Sequence, residues 1–171
     1  MKFKVSDIGN DGLSQMLSKE PSWLVNVPDI VSGKGGMRIR SDYEISLYIS
    51  KVLNEVHVQG NVGFTIVAPC SRCLDSVESN LKSEINLTLL PRKSEIEGDE
   101  IVDYESYDGN EIDFSGYLRE VIAMSLPVKI LCVEQCRGLC QNCGVNLNST
   151  TCSCEDAWVD PKLAVLRNLK L

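Results

Sequence analysis

Eight cysteines carry the chemistry this sequence offers, and six of them, Cys132, Cys136, Cys140, Cys143, Cys152 and Cys154, fall within 23 residues. The other two, Cys70 and Cys73, form the pair Pro69-Cys70-Ser-Arg72-Cys73. Thiolates supplied as close pairs from turns are what a tetrahedral zinc ion takes, with four sulfurs at about 2.3 Å. Cys140-x-x-Cys143-Gly144 has this form, because glycine tolerates the left-handed backbone that tight turns often need. Cys152-x-Cys154 lies close enough in the chain to complete a local four-thiolate site with it. Cys70, Cys73, Cys132 and Cys136 then make a second site, which ties the cysteine-rich segment to the earlier pair. The alternative joins Cys132, Cys136, Cys140 and Cys143 and leaves Cys70 and Cys73 with Cys152 and Cys154. The first grouping closes shorter loops and is preferred for that reason. Two zinc ions are expected, with one ion and spare thiols as the other stoichiometry.

Catalysis is the weaker reading of these residues. A zinc hydrolase keeps a coordination position open and usually takes His or carboxylate ligands, whereas here sulfur suffices to close both sites. His57 is the single histidine, and it sits in an alternating strand pattern, as a surface residue would. A thioredoxin-like role for Cys70 and Cys73 lacks the strand-then-helix context. No small-molecule substrate is expected. The start, Met1-Lys2-Phe3-Lys4-Val5, lacks the apolar run of a secretory leader, and nothing in the chain approaches the roughly 18 apolar residues of a membrane span. The expected location is the cytoplasm, where thiols are kept reduced and clustered cysteines favour metal over disulfides.

The formal charge of −7 argues against nucleic acid, since phosphate contacts need Lys and Arg. Its distribution softens the objection. Residues 94–113 hold nine acids and no base, leaving 15 acids against 17 bases elsewhere. That segment reads as a solvated connection or as an acidic arm for a basic partner. Lys34, Arg38 and Arg40, with Arg72 and Arg137 beside cysteines, are the candidate phosphate contacts. Loop solvation accounts for the first three equally well, and compensation of the −2 charge on a four-thiolate zinc site accounts for the last two. Ser32-Gly33-Lys34-Gly35-Gly36 lacks the order and the strand-helix context of a phosphate-binding loop.

The elements that must hold these residues are mostly strands. Tyr43, Ile45, Leu47 and Ile49 alternate with polar residues, Val56 and Val58 do the same, and Phe64, Ile66 and Ala68 follow after Gly60 and Gly63. Another strand runs through Val77, Leu81, Ile85, Leu87 and Leu89. Short polar breaks without intervening helices imply an antiparallel sheet or partly open barrel, and with a few helices the fold class is α+β. Gly12 to Glu20 reads as a short helix through Leu13, Met16 and Leu17. Asp113 is the expected cap of a helix bearing Phe114, Tyr117, Leu118, Val121 and Ile122, which Pro127 ends. A last helix is expected from Asp160 and Pro161 along Leu163, Leu166 and Leu169. The expected division is a core domain over 1–131, with the acidic loop at 94–113, and a zinc segment with the C-terminal helix over 132–171.

Four motifs resemble the YceD-like family: Cys70-Ser-Arg-Cys73 after a strand; the Ile112-Asp113 helix ending in Leu126-Pro127; Cys136-Arg-Gly-Leu-Cys140-x-x-Cys143-Gly-x-Asn146-Leu147-Asn148; and Asp160-Pro161-x-Leu163-x-x-Leu166. The resemblance implies a ribosome biogenesis factor that supports accumulation of large-subunit (23S) ribosomal RNA without known enzymatic activity. Its implied partners are ribosomal RNA or a ribosomal protein. It carries over no established set of RNA-binding residues. Two other functions compete: an acidic zinc-containing adaptor that holds a basic protein without touching RNA, and a thiol-redox or zinc-release sensor.

Overall fold

The structure, a computed structural model, describes residues 1–24, 36–92 and 105–154. Lys34, most of the acidic segment and the expected C-terminal helix lie outside the described residues. Tertiary contacts group the chain into two units, the first made of Met1–Ala68 and Glu78–Val128, the second of Pro69–Val77 and the chain from Lys129 onward. The first unit thus receives the chain in two pieces, separated by the short segment that carries Cys70 and Cys73.

The first unit is an open sheet. Its strands are β1 (Lys2–Lys4), β2 (Leu13–Lys19), β3 (Arg38–Ile39), β4 (Tyr43–Val52), β5 (Glu55–Pro69), β6 (Ser76–Pro91), β7 (Glu105–Tyr107) and β8 (Glu111–Asp113), followed by the helix α1 (Ser115–Met124). The main sheet has the order β2-β4-β5-β6-β7, with β3 also paired to β5, while β1 and β8 make a separate ladder. β2 and β5 flank β4 antiparallel, through Leu17↔Ile45 and Ile45↔Val62, whereas β7 joins β6 parallel, with Leu89 opposite Glu105. The architecture is the expected α+β class, as open sheets rather than a closed barrel, with one α-helix and two short 3-10 turns among the described residues.

Alternation builds the core. Tyr43, Ile45, Leu47 and Ile49 on β4, Val56, Val58, Val62, Phe64 and Ile66 on β5, and Ile85, Leu87 and Leu89 on β6 are all buried. Tyr43 packs edge-on against Phe64, with ring centroids 5.3 Å apart. Helix α1 buries Leu118 and Ile122, one turn apart on one face. Asp113 lies one position before the capping residue, which is Phe114. Its carboxylate accepts the Ser115 N–H at 3.0 Å and the Ser115 hydroxyl, and these two donors hold the Asp113 carboxyl well below its usual range.

One expectation is corrected. Leu13–Lys19 is a strand rather than a helix: Leu13, Gln15, Leu17 and Lys19 are half-buried and alternate with exposed Ser14, Met16 and Ser18. Met16, expected on the apolar face of a helix, is 85% exposed. Pairing with β4 along seven positions overrides a local pattern that fits both periods. β5 runs through Gly60 and Gly63 as one strand of 15 residues, so the alternation on either side of them belongs to a single element. Gly60 faces inward opposite Leu47, where a Cβ would lie 2.0 Å from the Ser46 carbonyl oxygen. Glycine there lets two backbones approach closely.

Three acids of the 94–113 segment are engaged within the first unit. Asp108 pairs with Arg92 at 2.8 Å, Glu111 with Lys2 at 2.7 Å and Asp113 with the Met1 amine at 3.2 Å. His57 is half-buried, with Nδ1 3.1 Å from the Thr88 hydroxyl and Nε2 3.4 Å from the Glu55 carboxylate. No helix among the described residues is long and apolar enough to cross a membrane.

Gly60→Ala, driven against backbone that cannot swing away, should lower stability by about 2–3 kcal/mol. Gly63→Ala, whose Cβ meets nothing closer than the Leu81 carbonyl at 3.8 Å, should stay within about 0.5 kcal/mol. Urea unfolding of the two variants followed by tryptophan fluorescence checks the contrast, and equal losses would refute the close-approach account.

Candidate metal centres

The second unit contains two turns of the same construction. In the β5–β6 connection, the Leu74 N–H donates to the Cys70 carbonyl at 3.0 Å and the Cys70 N–H to the Asp75 carbonyl at 2.8 Å. In the later turn, the Gly144 N–H donates to the Cys140 carbonyl at 2.9 Å and the Cys140 N–H to the Val145 carbonyl at 2.8 Å. Each Cys-x-x-Cys pair is therefore wrapped by the same two bonds at the same offsets. The residue after the second cysteine is left-handed in both, Leu74 at φ 65° and Gly144 at φ 73°. This winding turns backbone N–H groups toward the first sulfur of each pair.

The eight thiols gather into two groups of four, Cys70, Cys73, Cys132 and Cys136, and Cys140, Cys143, Cys152 and Cys154. This is the first of the two groupings weighed from the spacing. Within each group all four sulfurs lie within 4.8 Å of one another. Cys70 Sγ is 3.8 Å from Cys136 Sγ, and Cys73 Sγ is 3.5 Å from Cys132 Sγ. A disulfide would need about 2.05 Å, and all eight cysteines are free thiols. A tetrahedron with metal–sulfur distances of about 2.3 Å has edges of about 3.8 Å. The donor set, its number and its spacing fit a four-sulfur metal ion, and each group could hold one.

Burial separates the two groups. Cys70, Cys73 and Cys136 are buried and Cys132 half-buried, with Val77, Leu131 and Leu139 packed around them. Cys140 and Cys152 are half-buried, while Cys143 and Cys154 are exposed. Charge is graded within each group as well. Burial opposes ionisation of Cys70, but the N–H groups of Cys73, Arg72 and Cys132 point at its sulfur and bring it down to about 6. The N–H groups of Cys143 and Asn142 bring Cys140 down to about 6. Burial pushes Cys73 up, and a hydrogen bond with Cys143 pushes Cys154 up to about 12. Burial opposes ionisation of Cys136 too, but the Asn148 amide and the Gly138 N–H bring it down, so each group mixes thiols inclined to ionise with thiols inclined to keep their protons.

Four residues outside the thiols shape the buried group. The Asn148 side-chain amide donates to Cys136 Sγ at 3.2 Å, and its oxygen accepts the Arg137 N–H at 2.7 Å. Asn146 donates to the Asp75 carboxylate at 2.9 Å, and the Cys73 thiol donates to the same oxygen at 3.2 Å. The Arg72 guanidinium reaches the Cys136 carbonyl at 2.8 Å and the Glu134 carbonyl at 3.3 Å. Sequence reasoning passed over Asp75, Asn146 and Asn148 as site residues, although two asparagines two residues apart between cysteine pairs are natural hydrogen-bond donors to sulfur.

The cations expected to meet phosphate are distributed over both units. Arg38 and Arg40 lie on and just after β3, exposed, with Arg40 paired to Glu78. Arg72 and Arg137 belong to the second unit, where Arg72 is turned onto backbone carbonyls and Arg137 is exposed.

The left-handed positions make a prediction. A non-glycine residue there carries about 1–2 kcal/mol of strain, and Leu74 is 66% exposed, so its side chain contributes little burial. Leu74→Gly should leave thermal stability of the metal-loaded protein unchanged or raise it by up to about 1 kcal/mol after the greater unfolded-chain entropy of glycine is counted. Gly144→Ala should lower it by about 1 kcal/mol. Differential scanning calorimetry reads both, and a marked loss in Leu74→Gly would contradict the strain reading.

Comparisons with known proteins place the chain in a family. The family model described as "Large ribosomal RNA subunit accumulation protein YceD" matches residues 58–170. A protein of Arabidopsis thaliana named "Large ribosomal RNA subunit accumulation protein YCED homolog 1, chloroplastic" is 23% identical over 156 residues, which is 74% of this chain and 48% of that protein. Its Zea mays counterpart is 24% identical over 149 residues, covering 70% of this chain and 51% of that protein. An uncharacterised protein of Mycobacterium tuberculosis is 28% identical over 126 residues, covering 72% of this chain and 59% of that protein. The chain spans about half the length of the curated plant relatives it matches. No solved structure matches. With the match extending over both thiol groups and most of the sheet, the chain belongs to the YceD family.

Proposed function

We propose that this protein is a non-catalytic, two-zinc factor that supports accumulation of large-subunit (23S) ribosomal RNA by binding its precursor. The observation that carries the reading is the pair of four-thiol groups inside a chain of the YceD family. Zinc is the ion because four thiolates in tetrahedral array suit a soft, redox-inert cation. Four sulfurs fill its coordination, so the ion shapes a surface instead of activating water. The structural consequence falls mainly on residues 140–154, none of which is buried. Zinc there supplies what an apolar core would otherwise supply, since apparent binding energies of about 10–16 kcal/mol match the stability of a whole domain.

A specific observation favours a second reading, an adaptor that holds a basic ribosomal protein. Arg40 is neutralised by Glu78, Arg72 is turned onto carbonyls, and the whole chain is at −7. Ultraviolet crosslinking in growing cells followed by RNA sequencing separates the two. The proposal expects large-subunit precursor enriched over a mock sample. A ribosomal protein recovered without that enrichment would establish the adaptor instead.

Zinc itself is tested through protons. Cys73 and Cys132 in one group, and Cys152 and Cys154 in the other, have their ionisation pushed above the ordinary thiol range, so at neutral pH they hold protons until an ion binds. Binding should release at least two protons per zinc, and apparent affinity should fall by at least about a hundredfold for each unit that pH drops below 7. Indicator titration in weak buffer and chelator competition at several pH values measure both. Binding without proton release would mean that these thiols are not the ligands.

A further inference from the structure

The loop that belongs to the exposed thiol group also furnishes the hydrogen bonds around the buried one. Residues 144–151 connect Cys143 to Cys152, and two of them, Asn146 and Asn148, reach the buried group, Asn148 through Cys136 Sγ and Asn146 through Asp75. The two are locked together, because the Asn146 oxygen accepts both the N–H of Asn148 at 3.0 Å and its side-chain amide at 2.9 Å. The Leu147 N–H to the Gly138 carbonyl at 2.9 Å and the Leu139 N–H to the Arg72 carbonyl at 3.2 Å extend the same support to the Cys70–Cys73 turn. No residue from Cys140 to Cys154 is buried, so apolar packing does not hold this loop in place. An ion at Cys140, Cys143, Cys152 and Cys154 closes the loop at both ends and fixes the asparagine pair.

We infer that the two metal centres are coupled: an ion in the exposed group strengthens metal binding in the buried group by positioning Asn148 as a donor to the Cys136 thiolate. The inference rests on the two-zinc reading above. A hydrogen bond to a metal-bound thiolate disperses its negative charge and orients it, and loss of such a partner typically weakens metal affinity by about 10–100-fold. Thermodynamic reciprocity requires that the buried ion strengthen the exposed group by the same factor. Asn148 is a positioning residue in this scheme, since it touches a ligand sulfur and not the ion.

Native mass spectrometry of the unaltered full-length chain during zinc titration is the first test. Coupling expects the one-zinc species at half saturation to be scarcer in the unaltered chain than in Asn148→Ala, where the link between the sites is cut. The second test uses cobalt, whose sulfur-to-metal charge-transfer band reports four-thiolate binding. Cys143→Ser with Cys154→Ser should leave one cobalt bound, with affinity lowered about 10–100-fold. Asn148→Ala should lower the affinity of the buried group by a similar factor, and adding it to the serine pair should change little more. Asn148→Asp keeps the acceptor for the Arg137 N–H but sets a carboxylate against sulfur, so it should be worse than alanine, which a purely structural role would not produce. Two zinc ions binding independently, with the buried group unmoved by Cys143→Ser and Cys154→Ser, would overturn the coupling and leave the two-zinc reading intact. No metal bound at all would overturn both.

Discussion

Four sulfur atoms within 4.8 Å of one another are the constraint on which the second unit depends. Thiolates at that distance repel, and in a partly buried site the repulsion is poorly screened. The protein answers half of the problem with its own backbone, aiming N–H groups at Cys70 and Cys140 so that each can ionise near neutral pH. It leaves the other half unanswered, since Cys73 and Cys154 are pushed in the opposite direction. A divalent cation would complete the set, converting mutual repulsion into shared attraction. Local structure follows from this arrangement. Both turns are wound so that the amides face the first sulfur, and that winding puts Leu74 and Gly144 in the left-handed region.

The two centres meet the constraint in different surroundings. The buried group doubles as a small core, with Val77, Leu131 and Leu139 around its sulfurs, so apolar burial and metal binding reinforce each other. The exposed group has no such support. Its loop instead lends polar side chains to the buried centre, Asn148 to Cys136 Sγ and Asn146 to Asp75, the route along which the proposed coupling would run. Cys70 and Cys73 lie in the connection between β5 and β6, the two longest strands. A metal ion there would bear on a segment continuous with both strands, although Cys70 and Cys132 are 62 residues apart in the chain.

What the sequence disclosed and what it withheld divide along physical lines. The thiol groups were legible because zinc sites are assembled from close pairs, and closing short loops favours the grouping that the structure has. β4 was legible because Tyr43, Ile45, Leu47 and Ile49 face a core on one side and solvent on the other. β2 was not, because Leu13, Met16 and Leu17 satisfy a helical period while Leu13, Gln15, Leu17 and Lys19 satisfy a strand period, and only the partner strand chooses between them. The close approach at Gly60 was equally hidden, because a missing side chain has the same appearance in sequence whether the chain turns or two backbones press together. Asn146 and Asn148 belonged to a recognised motif, yet their roles required knowing which sulfur each amide would reach. Hydrogen bonds between segments far apart in the chain leave no periodic trace.

Charge links the site to function by a longer route. Each four-thiolate zinc centre is a dianion, so a chain already at −7 becomes no more attractive to phosphate when metal loads. Arg72 is the cation nearest the problem, and its guanidinium is directed to the carbonyls of Glu134 and Cys136, where it steadies the buried centre. An RNA contact in this fold must then draw on local cationic patches, in which a few residues outweigh the net charge within a Debye length of about 8 Å. Of the described candidate cations, Arg38, exposed on β3, and Arg137, exposed next to Cys136, are neither paired to a carboxylate as Arg40 is nor turned onto carbonyls as Arg72 is. An approach by RNA would thus be steered by a small number of local cations and shaped by the cysteine-bearing turns, a mode in which geometry contributes more than bulk electrostatics.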